Sequence, residues 1–297
     1  MNMTLTDFEN SVIQEIQTIM SPQFTFDITD VSIVPSTEDP AITHASSSTS
    51  VQRCKRMETC VLFVDIREST RLGFAHRKST MAQLYSAFVR AMILCADYAG
   101  GKVRDIVGDR VMVVFDRDDC HETAVLTALL MHRVIERLLN PYFTQDEVRC
   151  GIGIDYGQML IAKAGMIKKG DENPEYKSLV WLGRPANVAS KLTDEANKRI
   201  STLIQVPQPP ATDGWATVLG PSATAPPRIE TQVTYTRPIL MTEAVYDGYV
   251  NSLSIEQLGK KEYVRQKGMW RKRNIRVPGY KGKVFGGPFE VKGVRRV

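Results

Sequence analysis

With 297 residues, 43% hydrophobic and 24% charged, the chain has a globular composition and length for one large domain or one domain with appendages. No apolar run approaches the roughly 20 residues that span a bilayer, and Met1 to Asp7 lacks the basic and apolar regions of a signal peptide, so the expected compartment is the cytoplasm. The formal net charge of +5 is uneven: residues 260–297 hold thirteen Lys or Arg and two Glu, which puts about +11 there and about −6 elsewhere.

Phe8, Val12, Ile16 and Ile19 recur at helical spacing and predict an amphipathic helix over 6–20. Phe24 to Ile33 alternates and predicts a strand. Residues 35–57, Ser/Thr-rich with Pro35 and Pro40, read as a mobile linker. A regular pattern follows: a strand over 60–66, then a helix over 78–98 with Leu84, Phe88, Met92 and Cys95 on one stripe. Strands over 102–107 and 110–115 form a hairpin around Gly108-Asp109. A helix over 120–139 carries Ala124, Ala128, Met131 and Ile135 on one face. Strands over 147–155 and 158–163 are expected as a second hairpin through Asp155-Tyr-Gly157, followed by a helix over 185–198.

Seven prolines in 205–238 mark an insertion or long loop, in the role of a lid or packing arm. A strand at 239–241, a helix from Glu243 to Tyr249 and a last strand from Val284 to Val291 complete the pattern. The order β-α-β-β-α-β predicts an α+β, ferredoxin-like antiparallel sheet with helices on one face. The basic terminal segment reads either as a solvated face or as a triphosphate clamp, for which Arg271, Arg273, Lys281 and Lys283 are candidates; it contains no recognisable nucleic-acid motif. The five cysteines are scattered without ligand spacing, and Cys60, Cys95 and Cys150 read as reduced core thiols. His44, His76, His121 and His132 show no ligand spacing either.

Two residues point to chemistry. Asp65 ends the apolar run that begins at Val61, where a strand meets a turn. Asp109 follows Gly108 at the bend of a hairpin. Two converging carboxylates repel unless cations lie between them, so the pair suits two hard metal ions holding a polyphosphate.

Four blocks in order resemble the class III nucleotide cyclases over about residues 58–293. They are Phe63-Val-Asp65-Ile66-Arg67, Gly101 to Asp109, Gly151-Ile-Gly153-Ile-Asp-Tyr-Gly157, and Gly183-Arg-Pro-Ala-Asn187-Val-Ala-Ser-Lys191. The resemblance implies a cyclase catalytic domain over 58–293 with a Pro-rich insertion at 205–238, preceded by a helix and flexible linker over 1–57. It implies two divalent cations, Mn²⁺ or Mg²⁺, on Asp65, Asp109 and the Ile66 carbonyl. Backbone N–H groups near Arg67, Ser69 and Thr70 would cradle the triphosphate. Glu68 stands where the family often has glycine and is expected to point outward.

Asn187 and Lys191, one helical turn apart, would orient the ribose and stabilise charge on the α-phosphate. The family usually has arginine at the Lys191 position, and lysine keeps the charge without the bidentate fork. Family sites lie between two domains, so the resemblance implies a homodimer with two equivalent sites.

Asp105 and Val180 stand at the positions that read the base in the family. Neither matches the adenine-reading pair. The Asp105 carboxylate only accepts, so it suits guanine, uracil N3–H or the cytosine amino group, and Val180 offers no side-chain hydrogen bond. This departure is similar to the Pycsar-type pyrimidine cyclases of bacterial antiviral defence. The expected reaction is UTP to 3′,5′-cyclic UMP and pyrophosphate. Cytidylate, guanylate or adenylate cyclisation, or a catalytically silent nucleotide sensor, are the alternatives. Arg104 would contact base or phosphate only if its strand bulged.

Overall fold

The computed structural model describes residues 4–45, 50–144, 146–164, 167–168, 171–172, 178–206 and 228–288. Helix α1 (Leu5–Ile19) begins with a capping box: Thr4 Oγ1 accepts from the Asp7 N–H at 3.2 Å, and the Asp7 carboxylate accepts from the Thr4 N–H at 3.3 Å. None of its side chains is buried. Strand β1 (Thr25–Asp30) then lies parallel to β2 (Val51–Ile66). The expected linker therefore gives way to regular structure at Val51, and the strand carrying Asp65 is longer than its apolar run predicts.

The alternation of β2 explains the layers. Cys60, Leu62, Val64 and Ile66 face one side and are buried under α3 (Lys78–Ala99) and α4 (Cys120–Val134), with Phe88, Ala124 and Met131 fully enclosed. Each large apolar side chain buried here contributes roughly 1.5–3 kcal/mol. Between these helices the chain forms β3 (Lys102–Val107) and β4 (Arg110–Val114), the predicted hairpin, with β4 antiparallel to β2. The helix predicted over 120–139 is α4 continued by a π turn over Ile135–Leu139.

The second predicted hairpin is absent. Cys150–Ala164 is one continuous strand, β5, whose register runs unbroken along β2 from Ile66↔Cys150 to Lys55↔Ile161. Gly157, read from sequence as a turn, sits inside this strand at φ +155°; an added Cβ would lie 3.2 Å from Pro185 Cγ. Its missing side chain admits the next helix rather than a chain reversal.

After short β6 (Ile167–Lys168), β7 (Asp171–Glu172) and β8 (Ser178–Leu182), helix α5 (Arg184–Glu195) packs on the sheet face opposite α3 and α4. The expectation of helices on one face fails because Gly151 and Gly153 leave room on the other. A Cβ at Gly151 would lie 2.5 Å from the Thr193 carbonyl oxygen. Thr193 also donates to the Phe63 carbonyl at 3.1 Å.

The Pro-rich segment is flanked by a ribbon of β9 (Arg199–Val206) and β10 (Arg228–Tyr235); residues 207–227 lie outside the described residues. Strand β11 (Ile239–Thr242) runs parallel to β5, followed by α6 (Glu243–Ser252), α7 (Ile255–Leu258), α8 (Lys260–Gly268), β12 (Arg271–Arg273) and β13 (Val284–Gly287). The sheet order is β12-β13-β11-β5-β2-β4-β3, with β1 on β2 and β8 on β5. The last strand is described only to Gly287 and its predicted end at Val291 lies outside the described residues. Among the described residues no helix is long and apolar enough to cross a membrane.

Candidate active site

The two aspartates converge as their strands require. Asp65 is the penultimate residue of β2, opposite Gly151, on the face that α5 covers. Asp109 sits in the β3–β4 turn after Gly108, whose φ of +63° is a left-handed conformation that glycine adopts freely. The Ile66 N–H donates to Asp109 Oδ2 at 3.2 Å, which ties the turn to the end of β2.

Burial, and then the neighbouring Asp65 charge, push the Asp109 carboxyl up to about 6. Burial is the larger cause, and the Asp65 charge adds to it because the two carboxylates share one corner. The donor set, two carboxylates beside a strand-end carbonyl, fits a hard divalent cation.

Cationic side chains answer this charge. Arg110 donates to Asp65 Oδ2 from Nη2 at 2.7 Å and from Nε at 3.3 Å. It also reaches Ser190 Oγ at 2.9 Å and Asp194 Oδ1 at 2.5 Å on α5. Burial lowers the Arg110 pKa, but the bonds to Asp65 and Asp194 outweigh it and leave the value raised. Arg67 Nη2 reaches Asp65 at 3.3 Å, while its Nη1 donates to the Asp194 carbonyl at 3.0 Å. Tyr85 on α3 completes the surroundings. Burial and the Asp109 charge raise its phenol pKa, a hydrogen bond to Ser69 opposes this, and Asp65 adds to the rise.

Sequence reasoning missed Tyr85, Arg110 and Asp194. Arg110 had a signal, being a cation directly after a metal-type aspartate. Tyr85 and Asp194 had none, because only the fold brings α3 and α5 to this corner.

Ser69 and Thr70 open α2 (Ser69–Ala75), and Glu68 caps it at φ +55°, so the chain bends sharply where a phosphate cradle is expected. The Glu68 side chain is exposed and pairs with Arg71 at 2.8 Å, outward as expected.

Asn187 and Lys191 lie on an exposed face of α5. Asn187 Nδ2 donates to the Gly183 carbonyl at 3.4 Å, and Lys191 Nζ to the Pro278 carbonyl at 3.1 Å. Lys191 thus points to the loop of a cavity of about 570 Å³ lined by Arg184, Arg276, Tyr280 and Lys281. Of the other basic candidates, Lys283 pairs with Glu243.

Asp105 is exposed on β3 and Val180 is half-buried on β8, with β4, β2 and β5 standing between their strands in one chain. The bulge that Arg104 required is present, between Val103 and Asp105. Its guanidinium donates to the Val103 carbonyl at 2.9 Å; burial lowers its pKa, with Asp116 opposing.

This sheet, with its carboxylates at the end of β2 and in the β3–β4 turn, is the fold of class III nucleotide cyclases. The adenylyl cyclase CyaB from P. aeruginosa superposes with a TM-score of 0.54 at 16% identity, over 82% of this chain and 99% of that one. The guanylyl cyclase Cya2 gives 0.51 at 13%, over 80% and 96%. Residues 51–208 match the adenylate and guanylate cyclase catalytic domain, and the chain belongs to that family.

Among curated proteins, a uridylate cyclase of Burkholderia cepacia is 32% identical over 143 residues, 46% of this chain and 59% of that protein. A uridylate cyclase of Gulbenkiania mobilis is 28% identical over 208 residues, 66% and 74%. The chain thus spans 59% of the first relative's length and 74% of the second's.

Proposed function

We propose that the protein is a uridylate cyclase, converting UTP to 3′,5′-cyclic UMP and pyrophosphate as a homodimer. The observation that carries the cyclase reading is the convergence of Asp65 and Asp109 beside the Ile66 backbone. The similarity to proteins named uridylate cyclase supports the base. The catalytic unit we propose spans 58–293, after a helix and linker over 1–57.

Asp65, Asp109 and the Ile66 carbonyl would hold two divalent cations, Mn²⁺ or Mg²⁺. When bound, such ions lower the pKa of a hydroxyl and offset phosphate charge. The reaction is in-line attack of the ribose 3′-oxygen on the α-phosphorus, with pyrophosphate leaving. Arg67, Ser69, Thr70 and the N–H groups of the bend cradle the triphosphate. Asn187 of a second copy orients the ribose, and its Lys191 offsets the charge growing on the α-phosphate. Exposure of both side chains on α5 supports a role that needs a second copy. Asp105 accepts from uracil N3–H, and Val180 provides an apolar wall. The same reading extends to a cytoplasmic role in antiphage signalling, on the resemblance to Pycsar-type cyclases.

The test is to incubate the protein with Mn²⁺ and ATP, GTP, CTP or UTP separately and to identify products by chromatography and mass. Cyclic UMP as the main product is expected. Cyclic CMP would move the assignment to cytidylate, a purine product to ordinary cyclase signalling, and no product from an intact dimer to a silent sensor.

A further inference from the structure

Cys60 and Cys120 lie sixty positions apart in the chain and meet in the core. Cys60 is on the β2 face that α4 covers, Cys120 and His121 open α4, and one ligand atom from each of the three lies within 4.8 Å of the others. The cysteines are 0% and 1% exposed, and His121 is half-buried. This cluster lies five residues along β2 from Asp65, roughly 17 Å away at strand spacing, and on the opposite sheet face.

The geometry is that of a soft-metal site. Cys120 Sγ and His121 Nδ1 are 3.6 Å apart. Metal–sulfur and metal–nitrogen bonds of about 2.3 and 2.0 Å at tetrahedral zinc set the same two atoms about 3.5 Å apart. The imidazole is held in place from both sides. Its centroid is 4.3 Å from that of Tyr156, and Gly248 of α6 gives it room: a Cβ there would lie 2.6 Å from Nε2.

We propose that Cys60, Cys120 and His121 bind one Zn²⁺ per chain and clamp the start of α4 to the centre of β2. Two thiolates and a neutral imidazole cancel the ion's charge, as a buried site requires, and binding releases the protons those thiols carried. Water takes the fourth position. The three ligands come from segments with no metal spacing in sequence, so only the fold reveals the set.

The test is titration of reduced, metal-free protein with Co²⁺, followed by displacement with Zn²⁺. A sulfur-to-cobalt absorption in the near ultraviolet is expected, saturating at one ion per chain, kept in Asp65→Ala and lost in Cys120→Ser. The aspartate site has only oxygen donors and gives no such band. His121→Ala retains both thiols and is expected to bind at least about tenfold more weakly, which covers the case of a Cys120→Ser chain that does not fold. Absence of the band in the wild type, or an unchanged band in Cys120→Ser, overturns the proposal. So does an as-purified chain lighter by two hydrogens in which dithiothreitol restores Cys60 and Cys120, since that pair would then be a disulfide.

Discussion

The corner where the end of β2 meets the β3–β4 turn and the outer face of α5 each carry two residues that a cyclase site is expected to need, but the chain holds them in different ways. Asp65 is gripped by Arg67 and Arg110, and Asp109 is tied to the Ile66 N–H. Asn187 and Lys191 are exposed and, among the described residues, reach the backbone carbonyls of Gly183 and Pro278. The acidic half is organised by its own chain before any ligand arrives. The α5 half has the exposure of a surface awaiting a second copy. On the proposed function these are two half-sites in one chain, and the contrast teaches that catalysis would then be a property of the pair.

The strongest way to break this contrast is complementation. Asp65→Ala and Lys191→Ala should each lose about 10³-fold in turnover, roughly 4 kcal/mol of barrier, with circular dichroism unchanged. Equal mixing and re-equilibration should restore about one quarter of wild-type activity, because half of the dimers carry one intact site of two. Failure of the mixture to exceed either variant would mean that each chain works alone.

Arg110 links the two regions by bonding Asp65 on one side and Ser190 and Asp194 on the other. Arg110→Met should lower the melting temperature by about 2–6 °C through loss of these charge-assisted bonds. It should also tighten Mn²⁺ binding several-fold, because a cation that competes for Asp65 is gone. Calorimetric titration with Mn²⁺ checks the second effect; weaker binding would mean that Arg110 positions the carboxylate instead.

A smaller effect concerns pH. The Asp109 value rises from its ordinary 3.8 to about 6 in the folded chain, so the fold binds this proton more tightly than the unfolded chain does. Its contribution favours the fold below about pH 4 and is lost as pH climbs through 6. Asp109→Asn should therefore raise the melting temperature of metal-free protein by about 2–4 °C at pH 7.5 and leave it unchanged near pH 4. Scanning fluorimetry across that range reads the difference, and an equal gain at both ends would remove Asp109 ionisation as its source.

Much of the acidic half was legible in the sequence. An apolar strand ending at Asp65 and a glycine bend before Asp109 are local signals, and local signals are what periodicity and turn chemistry report. The long helices and the β3–β4 hairpin were legible for the same reason. Gly157 misled because a glycine inside alternating residues reads as a turn, whereas here it admits Pro185 of α5. The partners of Asp65 on α5 were hidden, since nothing near residue 65 says that Asp194 lies across the sheet. Cys60 and Cys120 were hidden by the same separation.

The bare backbone of Gly151 and Gly153 has a consequence for shape. With no side chain between them, β5 and α5 pack backbone to backbone as one plank, and Asp65 rides on the neighbouring strand opposite Gly151. In a two-fold pair this plank would act as a ruler. The spacing from one chain's aspartates to its own Asn187 would set how far apart the two reaction centres lie. A single methyl group slipped under α5 at Gly153, where it would meet Ala189 and Thr193, would then misalign both centres at once while touching neither.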